Sequence, residues 1–281
     1  MATGMTMKAT TSAGIDLAYD VRGSGEPVVL IHGGGVPDEF LPLAGHQVLE
    51  GYRLIRYHRR GYGSSSPAQA PVSVQDQARD CAALLSQLDI AGAHVVGHSY
   101  GGTIALQLAL DAPDLVHSLA LLEPGLFMVP SAATFLEGLA PVLDSYQHGD
   151  KAHATEMFLK GVGRPNAPEI MDGAVPGAFD QAVRDADTLF QVDLPGLQRW
   201  KFNRDDAVRI RQPVLYLLGG DSFQPAFEGR DLLRDWLPQS RDTVIGGVTH
   251  SMLWEDPQAV AESLAEFLKA HPLAATTTTR S

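Results

Sequence analysis

Ser99 stands in the pentapeptide Gly97-His98-Ser99-Tyr100-Gly101, directly after an apolar run over 93–96 and directly before a helical pattern over 103–110. A serine on a tight strand-to-helix turn exposes its hydroxyl, and the flanking glycines let the turn close without Cβ collisions. The start of the following helix aims partial positive charge at an oxyanion forming beside that hydroxyl. Such a nucleophile needs a base. His250 follows Gly246-Gly247-Val248-Thr249, after the last apolar run and before a C-terminal helical pattern. A histidine there can take the serine proton and hand it to a leaving group. The other histidines fit this task less well. His32 belongs to a glycine loop, His98 flanks the serine and reads as a packing residue, and His58 lies in a turn. His94 opens the strand before Ser99, and His46, His117, His148, His153 and His271 read as solvated.

The third element is Leu30-Ile31-His32-Gly33-Gly34-Gly35, where glycines free the backbone to turn N–H groups into a site. The amides of Gly34 and Tyr100 are the expected oxyanion donors, with Gly35 as an additional candidate. A phosphate loop is disfavoured because the Walker lysine is absent.

These pieces need a scaffold that brings distant strand ends together. Short continuous apolar runs at 28–31, 54–57, 94–96, 119–122, 214–218 and 243–245 alternate with helical patterns, as in a parallel sheet buried on both faces. An alternating segment over 15–21 suits an antiparallel edge strand. Val74, Ala78, Cys81, Leu85 and Leu88 recur at helical spacing, as do Val260, Leu264, Phe267 and Leu268, with Pro257 at a helix first turn. The predicted class is therefore α/β. Residues 125–206 break the alternation with helical pieces punctuated by Pro and Gly, too long for a bare loop. They are expected to form a helical cap on a core made of residues 1–124 and 207–281.

With these motifs in place, the chain resembles the α/β-hydrolase superfamily over residues 14–123 and 210–269, the cap being unmatched in detail. The resemblance implies an α/β-hydrolase fold: a mostly parallel eight-stranded sheet, helices on both faces and an inserted helical cap. Arg60-Gly61-Tyr62-Gly63-Ser64-Ser65 is similar to the family's turn after the fourth strand, with His58 replacing the acidic residue that usually opens it. That residue serves the turn's structure, so the replacement leaves the catalytic reading intact.

The imidazole also needs a carboxylate to fix its tautomer. Two satisfy the order serine, acid, histidine. The family's usual Gly-x-x-Asp would put the acid where this chain has Ser222, one residue past Asp221, and a shift of one residue at a strand end turns a side chain to the other face. The alternative is Glu123, closing the run 119–122. Its position resembles that of the acid in some haloalkane dehalogenases and in the zearalenone lactone hydrolases. Register favours Glu123, with Asp221 as the alternative acid.

Phe127, Met128, Phe158, Phe190 and Trp200 are the expected substrate contacts of the cap, and they suit an apolar or aromatic acyl compound. The chain has 281 residues, 44% of them hydrophobic, and a formal net charge of −12. That size fits one core with an insertion, and that charge disfavours nucleic acid and anionic membranes. The single cysteine, Cys81, excludes an internal disulfide framework and a cysteine-based zinc site. No metal or cofactor is called for. Residues 1–14 carry no apolar leader and no apolar run is long enough to span a bilayer, so a cytoplasmic location is expected. The tail 274–281, with four threonines, reads as disordered or appended. Oligomeric state stays open, a homodimer being one option. The expected function is hydrolysis of a carboxylic ester or lactone through an acyl-enzyme. Two alternatives stand beside it: a cofactor-free oxygenase or carbon–carbon bond hydrolase on the same fold, and a non-catalytic receptor for a small ligand.

Overall fold

The computed structural model describes residues 7–11, 13–69 and 71–273; the tail 274–281 lies outside them. Eight strands run as β1 (Met7–Thr10), β2 (Asp16–Arg22), β3 (Glu26–Ile31), β4 (Tyr52–Tyr57), β5 (Ala93–His98), β6 (Val116–Leu122), β7 (Val214–Gly219) and β8 (Ser240–Ile245). They form one sheet in the order β1-β2-β4-β3-β5-β6-β7-β8. β3 to β8 are mutually parallel, and β1 and β2 join antiparallel at one edge. This is the α/β-hydrolase fold that the motifs implied. β1 is the strand that the sequence did not announce. Only Ala9 of its four residues is buried, so it carries no apolar pattern to read.

The continuous apolar runs of β3 to β7 follow from burial on both faces. The run at 243–245 falls in β8, an edge strand of which only Ile245 is buried, so the expectation of double burial fails there. In β3, Val29 and Ile31 enter one core while Val28 and Leu30 enter the other; Leu119 and Leu121 of β6 likewise oppose Ala120 and Leu122. Successive side chains of a strand point to opposite faces, so a doubly covered strand has no polar side to show. Helices Val74–Gln87, Tyr100–Asp111 and Gln224–Trp236 cover the first face. Leu41–Ala44, Met252–Glu255 and Pro257–Ala270 cover the second. Ser73 and Asp76 form a capping box for Val74–Gln87, and the Asp256 carboxylate caps Pro257–Ala270 through the Ala259 N–H at 2.9 Å. Cys81 is fully buried in the first core, as its place on the helical stripe predicted.

Between β6 and β7 the described residues form helices only, from Ala132–Gly138 to Arg204–Ala207, including a π-helical turn at Thr188–Asp193. They carry a small core of their own around Leu139, Val142, Ala154, Leu189, Phe190 and Leu194.

Sheet register then decides what meets at the carboxyl edge. Ile31 pairs with Gly97, His98 with Leu122, Leu122 with Leu217 and Gly219 with Ile245. The residues leaving β3, β5, β6, β7 and β8 therefore emerge side by side, where ligands bind in open α/β sheets.

The turn after β5 leaves no room. A Cβ at Gly101 would lie 2.0 Å from the Ile31 carbonyl oxygen, whereas one at Gly138 would meet nothing within 4 Å. Gly101→Ala should lower unfolding stability by at least about 1–3 kcal/mol, the usual cost of overpacking. Gly138→Ala should be neutral or slightly stabilising. Urea unfolding of both checks this, and equal midpoints would refute the packing argument.

Candidate active site

Ser99 adopts φ 52° and ψ −120°, a conformation that L-residues avoid. Its backbone is fastened on both sides: the Ser99 N–H donates to the Leu122 carbonyl at 2.9 Å, and the Ser99 carbonyl accepts from Gly102 and Gly125 at 3.0 Å each. The side chain faces a cavity of about 900 Å³, a volume that includes its open mouth. Among the described residues, the only other non-glycine positions with positive φ are Asp89 and Glu123, the latter at 43°. Strain of this kind persists where the surroundings over-determine it.

Glu123 continues the sheet ladder through its N–H to the Leu217 carbonyl at 3.2 Å, then turns sharply off the strand. Its carboxylate is buried and fully engaged. It accepts from the Gly219 N–H at 2.7 Å, from the Ser222 hydroxyl at 2.7 Å and from His250 Nδ1 at 2.6 Å. Three donors around one carboxylate mark it as ionised, and the short contact to His250 is of the charge-assisted kind. His250 Nε2 is the nitrogen left over, and His250 lines the same cavity as Ser99. Burial is the main influence lowering the His250 pKa below 6.5; the Glu123 hydrogen bond opposes the shift and the charge of His98 adds to it.

Asp221, the alternative acid, is elsewhere. Its side chain is 55% exposed, 3.5 Å from the Arg164 guanidinium. Ser222 occupies the position that the usual motif assigns to the acid, and there it donates to Glu123.

Among the described residues neither the Gly34 N–H nor the Tyr100 N–H has a hydrogen-bond partner. Both residues line the cavity with Ser99. Gly35 departs from expectation: its N–H donates to the Tyr62 hydroxyl oxygen at 3.1 Å, so it is not available to a substrate.

Of the apolar residues singled out by sequence, Phe127 and Phe158 line the cavity. Met128, Phe190 and Trp200 do not, and each has a packing reason. Met128 packs on the first-face core. Phe190 sits inside the small core of the insertion, its ring 4.8 Å from that of Tyr146. Trp200 stacks on Phe202 at 5.3 Å and donates Nε1–H to Gln107 at 2.7 Å, which ties it to helix Tyr100–Asp111. Helical spacing identifies a side chain as buried but not what buries it. Phe135, Leu189, Leu197, Phe223 and Trp254 take the missing places in the lining.

Two buried groups escaped the sequence reading. Arg59, with no exposed surface, holds Asp193 of the insertion through two hydrogen bonds at 3.1 and 2.6 Å. Arg59 also donates to the carbonyls of His32 and Gly33, while Asp193 accepts the Tyr62 hydroxyl at 2.7 Å. This chain of bonds backs the Gly33–Gly35 loop. The second group pairs His98, read from the sequence as packing, with Glu39 at 3.0 Å. His58 fills its turn role by accepting the Ser64 N–H at 3.2 Å, in place of the acidic residue it replaces. No helix of the described residues is long and apolar enough to cross a membrane, and they contain no cluster of ligating side chains able to hold a metal ion.

A parallel sheet entered by an antiparallel edge, a strained serine turn after its central strand and a helical excursion before the penultimate parallel strand define the α/β-hydrolase class. The sequence profile of the alpha/beta hydrolase fold matches residues 26–257, and the chain belongs to that family. A Mycobacterium tuberculosis protein provisionally named non-heme bromoperoxidase BpoC is 33% identical over 270 residues, covering 90% of this chain and 97% of that relative. Among solved structures, Est816, titled an N-acyl homoserine lactone degrading enzyme, aligns with a TM-score of 0.73 at 27% identity, over 93% of this chain and all of that one. A thermophilic esterase from Thermogutta terrifontis aligns with a TM-score of 0.77 at 24% identity, over 95% of this chain and 99% of its own. This last likeness speaks to the fold.

Removing one partner of a buried ion pair strands the other charge, whereas an exposed pair matters little. Arg59→Met should therefore cost about 3–5 kcal/mol of unfolding stability. Arg204→Met, from a pair with Asp235 in which the two side chains are 57% and 64% exposed, should cost less than about 1 kcal/mol. Denaturant titration separates them, and comparable losses would contradict the assignment of Arg59 as the buried anchor.

Proposed function

We propose that this protein is a serine hydrolase that cleaves a carboxylic ester or lactone of an apolar or aromatic substrate through an acyl-enzyme intermediate. The observation that carries the reading is the 2.6 Å bond between Glu123 and His250 Nδ1, with Nε2 left over beside the cavity that Ser99 faces. Glu123 holds the imidazole in the tautomer whose Nε2 accepts a proton, and steadies the imidazolium once formed. Ser99 Oγ attacks the carbonyl carbon as His250 takes its proton, and the carbonyl electrons move onto oxygen. The unpartnered amides of Gly34 and Tyr100 are the donors for that oxyanion. On collapse, His250 returns the proton to the departing alkoxide, and water repeats the sequence to release the acid. A lactone gives one hydroxy acid in place of two products.

The lining supports the substrate class. Phe127, Phe135, Phe158 and Phe223 surround the site, and no lysine or arginine is among the residues that line it. A neutral compound that buries apolar surface fits such a cavity. The likeness to Est816 favours the lactone branch of the proposal.

The relative named as a bromoperoxidase favours a second reading, oxidative chemistry on the same scaffold. Peroxide-dependent bromination that persists in Ser99→Ala would support it against hydrolysis.

A fluorophosphonate should add once to Ser99, seen by intact mass, and His250→Ala should abolish the adduct. Folded protein that takes up no reagent would refute the proposal. Glu123→Gln should lose turnover of p-nitrophenyl esters by about 10³-fold or more, while Asp221→Asn stays within about threefold of the parent. The reverse ranking would unseat Glu123. A base must be neutral to act, and the pKa of His250 is lowered. The acid limb of kcat/KM should accordingly fall at a pH below the ordinary imidazole value of 6.5. A limb above that value would show that burial does not govern His250.

A further inference from the structure

A second imidazole–carboxylate pair lies against the first, and the mechanism above makes no use of it. His98 precedes Ser99, and Glu39 precedes the short helix Leu41–Ala44; their side chains are 5% and 2% exposed. His98 Nδ1 is 3.0 Å from Glu39 Oε2, and Nε2 is 3.0 Å from the main-chain carbonyl oxygen of His250. The remaining Glu39 oxygen, Oε1, accepts the Gly33 N–H at 2.7 Å. Carboxylates and carbonyls accept, and a neutral imidazole has one N–H to give. With Glu39 ionised, both contacts are hydrogen bonds only if both ring nitrogens carry protons, Nδ1–H donating to Glu39 and Nε2–H to the His250 carbonyl.

We propose that His98 is a buried imidazolium paired with Glu39, a positioning residue that ties the oxyanion loop, the nucleophile turn and the His250 loop together and keeps His250 free of a second proton. The functional half of this inference rests on His250 being the general base.

The geometry supplies both effects. Glu39 reaches Gly33, the neighbour of the Gly34 amide, and a Cβ on Gly33 would lie 3.1 Å from Ser99 Cβ. His98 links that carboxylate to the backbone of His250 itself. Three loops from three strands thus share one charged pair. The rings of His98 and His250 are 4.6 Å apart, tilted by 36°. A fixed cation at this range disfavours protonation of its neighbour.

The charged and titratable groups around the two rings agree with this division. Burial works against charge on His98, but Glu39, and then Glu123, raise its pKa above 6.5. His32, at the end of β3, is buried and held neutral: its pKa is lowered well below 6.5 by burial and then by Arg59. Arg59 is committed to Asp193, and Glu255 to Thr249 and Arg164. His250 faces Glu123, His98 and Glu39.

Nitrogen-15 NMR of histidine-labelled protein at neutral pH reads the protonation states directly, without any substrate. Both nitrogens of His98 should show imidazolium shifts and N–H couplings, while His250 appears as a neutral ring protonated on Nδ1. In His98→Gln the acid limb of kcat/KM should move up by about one pH unit, because the repelling charge is gone. kcat should fall about tenfold or more with KM within about twofold, the signature of a group that acts on the transition state. Glu39→Gln should move the limb the same way and convert the His98 signals to a neutral tautomer. A neutral His98 in the parent protein, its proton residing on Glu39, overturns the inference. So does an acid limb that stays in place in the variants. If His98→Gln does not fold, the parent spectrum and Glu39→Gln decide the matter. Absence of Ser99 labelling in the parent would sink the hydrolase reading and the functional half with it, while the spectrum still decides the charge on His98.

Discussion

One buried carboxylate organises the carboxyl edge of this sheet. Glu123 leaves β6 in a left-handed conformation, and its two oxygens gather an amide from β7, a hydroxyl from the following turn and the imidazole of His250. An ionised group without surface must be met by donors, or its burial would cost several kcal/mol. The fold meets that demand with atoms from three segments distant in sequence. Removing the charge would therefore loosen the attachment of the β7 turn and the His250 loop together. The position usual for the acid carries Ser222, which donates to Glu123.

A similar logic holds the helical insertion. Asp193 lies in the π-helical turn, Arg59 follows β4, and the pair is completed by Tyr62 and by the carbonyls of His32 and Gly33. The roof of the cavity is thereby bonded to the back of the Gly33–Gly35 loop. Tyr62 also takes the Gly35 N–H, which leaves Gly34 as the amide of that loop without a partner. On the opposite flank the contact is looser. Arg164 donates to the Gly247 carbonyl at 2.6 Å and approaches Glu255, but much of its side chain meets solvent.

What the sequence disclosed follows from how local each requirement is. A serine turn, a glycine loop and a histidine after the last strand are written in a few consecutive residues, because backbone conformation demands them there. Doubly buried strands are equally plain, since both faces are apolar. The pairs Glu39–His98 and Arg59–Asp193 span 59 and 134 residues. No periodicity links such positions: His98 read as a packing residue, and nothing in the sequence drew attention to Glu39, Arg59 or Asp193. Trp200 and Phe190 failed for another reason. Their burial was legible, but their neighbours depend on how short helices pack, which spacing does not encode. β1 was missed because an exposed edge strand has almost no apolar side.

The cavity lining has a kinetic bearing. Glu39, Glu123 and Asp193 border it, and no lysine or arginine does. A neutral guest meets no penalty there beyond desolvation of its own polar atoms. Under the proposed reaction, splitting an ester or lactone in this chamber creates an anion among acidic side chains and apolar walls, where no lysine or arginine stands and the charge proposed for His98 is already matched by Glu39. That reaction would turn a welcome occupant into an ill-suited one, which biases the proposed cycle toward emptying.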